Sequence, residues 1–489
     1  MATKKVPAKK PAAKKPAPKV TKLAATGEKP KAAKPKGSKK KLQLLRGMRD
    51  ILPQEQMYWD YVRGALDQVS RAYGYSRIDV PVVEELQLFK RTIGEGTDVV
   101  DKEMYEFETK GEDQVALRPE FTAGVARAFI EHGMMNQPQP VKLWTDGALF
   151  RYDRPQAGRY RQFHQGNWEI IGSPQAALDA ELIAMGYNFL SDVGLPVTVL
   201  INSLGTPDTR KQYVNALKDY LKPHRKQLDE TSQERFNKNP LRILDSKDER
   251  TQEILEGAPQ IVDFLDDESR EHFMSVLEYL DESGIPYRLE SRLVRGLDYY
   301  SHTAFEFVLT PPEVVAGEAT EDAAADTVDA ETGEAKVAES SVAGMALGGG
   351  GRYNYLVEQL GGPAGTPAVG MAIGLERVIL AIRELKVEIA PEPTADVFLA
   401  QIGETARKRA LKLFEELRKA GIAVMSNISK NRLSDQLSLA SKASAKYTLI
   451  LGQKEMIDNT IIIRDMAAGS QETIDQEKLV ATLQKALKK

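Results

Sequence analysis

The sequence predicts an α+β fold in which an antiparallel sheet is flanked by helices, with a helical insertion and a separate C-terminal α/β domain. Three observations predict it. Residues 151–172, RYDRPQAGRYRQFHQGNWEIIG, read as two apolar-aromatic strands joined by an Arg-Pro-Gly loop, which is the signature of an antiparallel hairpin. Residues 206–285 turn charged and rich in helix formers. From Ala395 onward strand and helix patterns alternate, as they do in a compact α/β unit.

Taken in order, MYWDYVRGALDQVSRAYGY (57–75) has helical spacing of its apolar residues and a Gly near its end. SRIDVPVVEE (76–85) is a strand interrupted by Pro81. VALRPEFTAGVARAFIEHG (115–133) runs from a short strand into a helix, and ALDAELIAMGYNFLSDVG (177–194) is a second amphipathic helix after the hairpin. TAFEFVLT and AGMALGGGGRY are strands on either side of residues 311–343. In the last domain DVFLAQI is a strand, and Ala410, Leu413, Phe414 and Leu417 share one side of the helix that follows. The chain therefore divides into a tail (1–41), a main domain in two parts (42–205 and 286–390), an insertion (206–285) and a C-terminal domain (395–489), with PEPTA as the linker.

Composition excludes several classes. The 489 residues include no Cys, which removes disulfides and thiolate metal sites. Five His occur without HxxxH or HxH spacing, so no zinc site is expected. No apolar run approaches the roughly 20 residues that span a bilayer, so the expectation is a soluble, cytoplasmic protein without membrane contact. The net charge of −3 conceals a tail with fifteen Lys and one Glu. Rich in Lys, Ala and Pro, that tail lacks the apolar surface to fold. It reads either as an electrostatic arm for a polyanion such as RNA or as a solvated extension. Residues 311–343 hold nine acidic side chains against one Lys and read as a disordered acidic loop.

The chemistry concentrates in the hairpin. Phe163, Gln165 and Glu169 are separated by even numbers, so in a strand they project from one face. That face offers an aromatic, an amide and a carboxylate beside Arg151, Arg154, Arg159 and Arg161. Such a surface suits a ligand with a flat ring, a phosphate and an amine, although an amphipathic hairpin with a solvated loop would read alike. No GxxxxGK[ST] is present, and LGGGGRY and GGPAGTPAVG do not fit GxGxxG after a strand. The Gly runs point to tight backbone approach instead.

LFRYDRPQAGRYRQFHQ resembles motif 2 of the class II aminoacyl-tRNA synthetases, GMAIGLERVIL resembles motif 3, and SRIDVPVVEE is similar to the looser motif 1. LRPEFTAG, LVRGLDYY and GGGGRYNYLVEQLGG narrow the resemblance to the histidyl-tRNA synthetases of bacterial type, over about residues 42–489 apart from the acidic loop.

The resemblance implies ATP-dependent attachment of L-histidine to tRNA(His) by a homodimer, with ATP as substrate and Mg2+ on its phosphates. It implies that Arg151 holds the α-phosphate and the amino-acid carboxylate, and that Arg295 stabilises the transition state from the other side. Arg377 and Phe163 would take the two faces of adenine. Glu120, Thr122 and Gln165 would bind the α-amino group, and Glu169, Tyr299 and Tyr300 the imidazole. Several plainer readings stand beside these: an ion pair with Asp298 for Arg295, a helix cap for Thr122, and packing or pocket lining for Tyr353. Phe121 stands where the family most often has Gly, and Asn354 where Asp is common; Phe121 fits only if its ring enters the core. An alternative reading is a non-catalytic, histidine-sensing regulatory paralogue of ATP phosphoribosyltransferase, which generally lacks the C-terminal domain. An RNA-binding module would explain the tail but not the pocket arginines.

Overall fold

The computed structural model describes residues 42–94, 97, 99–153, 158–310, 342–389 and 395–488. The lysine-rich tail, residues 311–341 of the acidic stretch, Arg154 and residues 391–394 of the linker lie outside them. Residues 46–489 belong to one compact unit.

Its centre is an eight-stranded sheet in the order Ser76–Arg77, Val141–Phe150, Gln162–Ile171, Ala368–Gly374, Ala346–Arg352, Ser301–Leu309, Val197–Ser203, Tyr287–Leu289. The six inner strands are antiparallel throughout. Each edge strand is short and pairs parallel with its neighbour. The expected break at Pro81 is present. Ser76–Arg77 joins the main sheet, whereas Val83–Glu85 joins a small antiparallel sheet with Gln114–Leu117 and Tyr105–Glu108.

Strand Gln162–Ile171 divides its residues between two environments. Trp168 and Ile170 are buried in the main core, with Leu66, Leu182, Met185 and Phe189. The helices Pro53–Ala72 and Ala176–Asp192 supply those partners because their apolar residues recur at helical spacing. A buried side chain of this size contributes about 1.5–3 kcal/mol. Phe163, Gln165 and Asn167 face the other way, into a cavity. A one-residue slip would exchange the two faces, so the core fixes the register of the polar face.

The Gly-rich strand Ala346–Arg352 works as close backbone approach. A Cβ on Gly350 would overlap the carbonyl oxygen of Gly370 on the adjacent strand. A Cβ on Gly370 would in turn overlap Glu169 Oε2, so this glycine makes room for a buried carboxyl.

Four helices of the 206–285 segment start with a side-chain cap three residues before a Thr or Ser amide. Thr206, Asp229, Asp248 and Asp266 accept from Thr209, Ser232, Thr251 and Ser269 at 3.3, 3.0, 2.9 and 2.8 Å. Each such cap is worth about 1 kcal/mol. The last of these helices, Asp267–Glu282, does not pack as part of an isolated insertion. Its Phe273, Val276 and Leu280 join the main core beside Phe189.

Residues 395–488 contain a five-stranded sheet in the order Val424–Ser426, Val397–Gln401, Tyr447–Leu451, Thr460–Asp465, Gln471–Asp475. Helix Glu404–Lys419 covers it with Ala410, Leu413 and Leu417, and Phe414 is partly buried beside them. Among the described residues no helix is long and apolar enough to cross a membrane.

Candidate active site

A cavity of about 720 Å³ opens on the polar face of the main sheet. Nine of the ten residues singled out from the sequence line it: Glu120, Thr122, Arg151, Phe163, Gln165, Arg295, Tyr299, Tyr300 and Arg377. They come from four separate stretches of chain, and the antiparallel register brings them together. The tenth, Glu169, is 1% exposed and lies one layer beneath, joined to the wall through its neighbours.

Glu169 is held by three donors. Thr122 Oγ1 donates to its Oε1 at 2.5 Å, Asn167 Nδ2 donates to the same oxygen at 2.8 Å, and the Tyr353 hydroxyl donates to Oε2. Burial outweighs these bonds and pushes its pKa up to about 8. The fully enclosed carboxyl therefore keeps its proton through neutral pH while empty of ligand. In an unfolded chain the same proton leaves near the ordinary glutamate value. Between those two values unfolding releases a proton, so raising pH favours unfolding by about 1.4 kcal/mol per pH unit inside the window. Glu169→Gln removes that dependence. Its stability relative to the unsubstituted protein should climb from pH 5 to pH 8 in denaturant titrations; a gap that does not move with pH would refute the assignment.

Glu120 is 5% exposed and caps helix Thr122–Glu131. Its Oε2 accepts the Thr122 amide at 2.6 Å and its Oε1 the Ala123 amide at 2.9 Å. Thr122 is thus the first residue of the helix and not its cap, which corrects the plainer reading of this side chain. Burial raises the pKa of Glu120, opposed by those amides. A carboxylate has about four lone-pair positions, so room remains for an ammonium. Phe121 is 1% exposed in the core beside Val125 and Phe129, and the Arg118 guanidinium lies 4.5 Å from its ring centroid. It does not crowd the turn.

Three arginines line the same cavity. Arg151 donates from Nε to the Pro119 carbonyl at 2.9 Å, and its guanidinium sits 5.2 Å from the Phe163 ring centroid. Arg377 donates from Nη1 to the Ala346 carbonyl at 2.6 Å. Burial lowers the pKa of both groups and outweighs the nearby acidic side chains that oppose the shift. Arg295 contacts Glu306 Oε1 at 3.4 Å, and its Nε has no hydrogen-bond partner among the described residues. The ion pair with Asp298 considered from the sequence is absent. The Asp298 side chain instead accepts from Asn239 Nδ2 at 3.1 Å.

Sequence reasoning missed Asn167, although the same two-residue alternation that found Phe163, Gln165 and Glu169 places it on that face. Tyr353 proves to be a Glu169 partner in the wall behind the cavity. Asn354 Oδ1 accepts the Ala368 amide at 3.2 Å, a role an aspartate would also fill. Asp245, Ser246, Lys247 and Asp248 of the 206–285 segment also line the cavity, and nothing in their sequence signals it.

An antiparallel sheet that presents a motif 2 hairpin, a motif 3 strand and helix, and arginines in place of a phosphate-binding loop defines the catalytic domain of a class II aminoacyl-tRNA synthetase. The family model described as histidyl-tRNA synthetase matches residues 47–317, and one described as an anticodon binding domain matches residues 396–486. The histidine--tRNA ligase of Cyanothece sp. is 45% identical over 90% of this chain and 95% of its own length. That of Thermosynechococcus vestitus is 42% identical over 90% and 96%. The crystal structure of apo S. aureus histidyl-tRNA synthetase is 35% identical, with a TM-score of 0.70 over 90% of this chain and 99% of that one. The chain belongs to the histidyl-tRNA synthetase family.

Proposed function

We propose that the protein activates L-histidine with ATP, giving histidyl-adenylate and pyrophosphate, and then passes the histidyl group to the 3′ end of tRNA(His) in the cytoplasm. The observation that carries this reading is a single cavity whose lining combines carboxyl, amide and tyrosine groups with three arginines. The amine and imidazole of histidine fit the carboxyl, amide and tyrosine groups, and the phosphates of ATP fit the arginines.

Activation is an in-line attack of the histidine carboxylate on the α-phosphate, with pyrophosphate leaving. The protein's task is to position the two reactants and to offset negative charge as it develops. Arg151 and Arg295 hold the α-phosphate from two sides, and Phe163 and Arg377 hold adenine. Glu120, Thr122 and Gln165 receive the α-amino group. The ring N–H points toward Glu169, with Tyr299 and Tyr300 completing the pocket. An amino acid without those ring nitrogens leaves buried polar groups unpaired, which is a strong basis for rejection. Magnesium, held mainly by the nucleotide rather than by protein carboxylates, would offset the negative charge of the phosphates.

The C-terminal domain approaches the anticodon and the 206–285 segment the acceptor stem. Two copies associate through the region of residues 76–85. Exposed Val82, Val83 and Phe107 support that surface, since each is more than 40% accessible. The regulatory reading is weaker. Arg151, Arg295 and Arg377 all line the cavity, and residues 396–486 match the anticodon binding domain.

The test is amino-acid-dependent ATP–pyrophosphate exchange across all twenty amino acids. Histidine alone should support exchange. Histidine binding without exchange would instead favour the regulatory subunit.

A further inference from the structure

His164 and Glu376 form a pair that the chemistry above leaves unused. Phe163 and Gln165 face the cavity, so His164 between them turns the other way, with its ring 4.9 Å from that of Trp59 in an edge-on arrangement. On the side of strand Ala368–Gly374 the ladder ends where Gly374 stands opposite Gln165. Beyond that point the neighbouring strand becomes helix Leu375–Glu384. The His164 amide is the next along and would have no strand to meet.

Glu376 takes the place of the missing strand. Its two oxygens accept the His164 amide at 3.0 and 2.9 Å, and Oε1 also bonds the ring Nδ1 at 2.8 Å. The carboxylate is 7% exposed and belongs to the first turn of its own helix, where negative charge is favoured. Charge-assisted bonds of this kind are roughly twice as strong as neutral ones. The chain neighbours of the pair are Phe163 and Arg377, both of which line the cavity.

We infer that His164 and Glu376 are positioning residues that set Phe163 against Arg377 and so tune the affinity for ATP, not for histidine. The inference rests on the proposed reading that Phe163 and Arg377 hold adenine. The histidine end is insulated because Gln165 keeps its pairing on both sides, with Gly147 and with Gly374. Misplacement of a positioning group by about 1 Å is enough to cost a large factor in rate or affinity.

The experiment is histidine-dependent pyrophosphate exchange on the full chain, with KM measured separately for ATP and histidine. Glu376→Ala should raise KM for ATP about tenfold or more, with KM for histidine changed less than about twofold. Glu376→Gln retains an oxygen for the amide and should recover to within about threefold of the original. His164→Ala keeps the amide bonds and loses the ring bond, so it should raise KM for ATP about threefold. It carries the test if Glu376→Ala does not fold. Parallel rises in both KM values, a fall in kcat alone, or no change would overturn the inference. Absence of histidine-dependent exchange in the unsubstituted protein would overturn the proposed function instead, so the two failures are distinguishable.

Discussion

Arg295→Ala should lower kcat for histidine-dependent pyrophosphate exchange by about 10²–10³-fold, in line with the loss of one preorganised charge-stabilising group. It should scarcely move the melting temperature. The two expectations follow from one geometry. Arg295 lies partly buried with an unpartnered Nε, a long 3.4 Å contact to Glu306 and the Tyr300 ring 5.5 Å away. A guanidinium so incompletely paired contributes little to the empty protein. A phosphate arriving in the cavity would supply the missing partner. Glu306 is 30% exposed, so water can solvate it once the arginine is gone. A structural arginine would behave in the opposite way. A drop in activity below tenfold, or one that tracks a large loss of melting temperature, would remove Arg295 from the chemistry.

Asp179→Ala should be among the most destabilising substitutions in the chain, at about 3–5 kcal/mol, because it leaves a buried cation unpaired. Asp179 is inaccessible, and Arg352 is 1% exposed. The guanidinium donates from Nε to both carboxylate oxygens at 3.2 and 3.1 Å and from Nη2 to Oδ2. It also donates to the Ser173 and Gln175 carbonyls at 3.1 and 3.2 Å. Burial works against the charge on Asp179, yet Arg352 and then His272 outweigh it and hold the pKa at about 2. A depressed carboxylate pKa gives stability that is complete above the ordinary aspartate value and is lost as pH falls through about 2. The deficit of Asp179→Ala should accordingly shrink between pH 4 and pH 2. The double variant Asp179→Ala/Arg352→Met removes both charges and should lose much less than the sum of its parts. Chemical unfolding of the four proteins checks this; strict additivity would show that the pair is not coupled. Tyr353 follows Arg352 in the chain and bonds Glu169, so the single variants should also weaken histidine binding.

The local patterns carried far. The motif-bearing hairpin, the helix after Glu120, the break at Pro81 and the α/β character of the last domain were all legible because side-chain periodicity reports which face is buried. That same alternation found Phe163 and Gln165 of one cavity wall and Glu169 beneath it, and it contained Asn167 as well. The helix cap was misplaced by two residues because Thr122 has the usual cap chemistry. Nothing local reveals that the Glu120 carboxylate folds back onto the amides of Thr122 and Ala123. Glu376 gave no signal because its partner lies 212 residues away in the chain.

By itself the sequence determined the residue types and their spacing: arginines at 151, 295 and 377, a polar strand face, and glycines where strands crowd. It thereby determined the family. Only the tertiary structure decided which of those groups are charged, paired or reachable. Glu169 and Glu120 are both glutamates beside threonine or asparagine, yet one lies beneath the cavity with three donors on its carboxyl and the other lines it. Arg295 and Arg352 are both arginines in Gly-flanked motifs, yet one is incompletely paired and the other is locked to Asp179. The reason is that desolvation and partnering depend on atoms brought together from distant parts of the chain, and that environment exists only once the sheet has set their register.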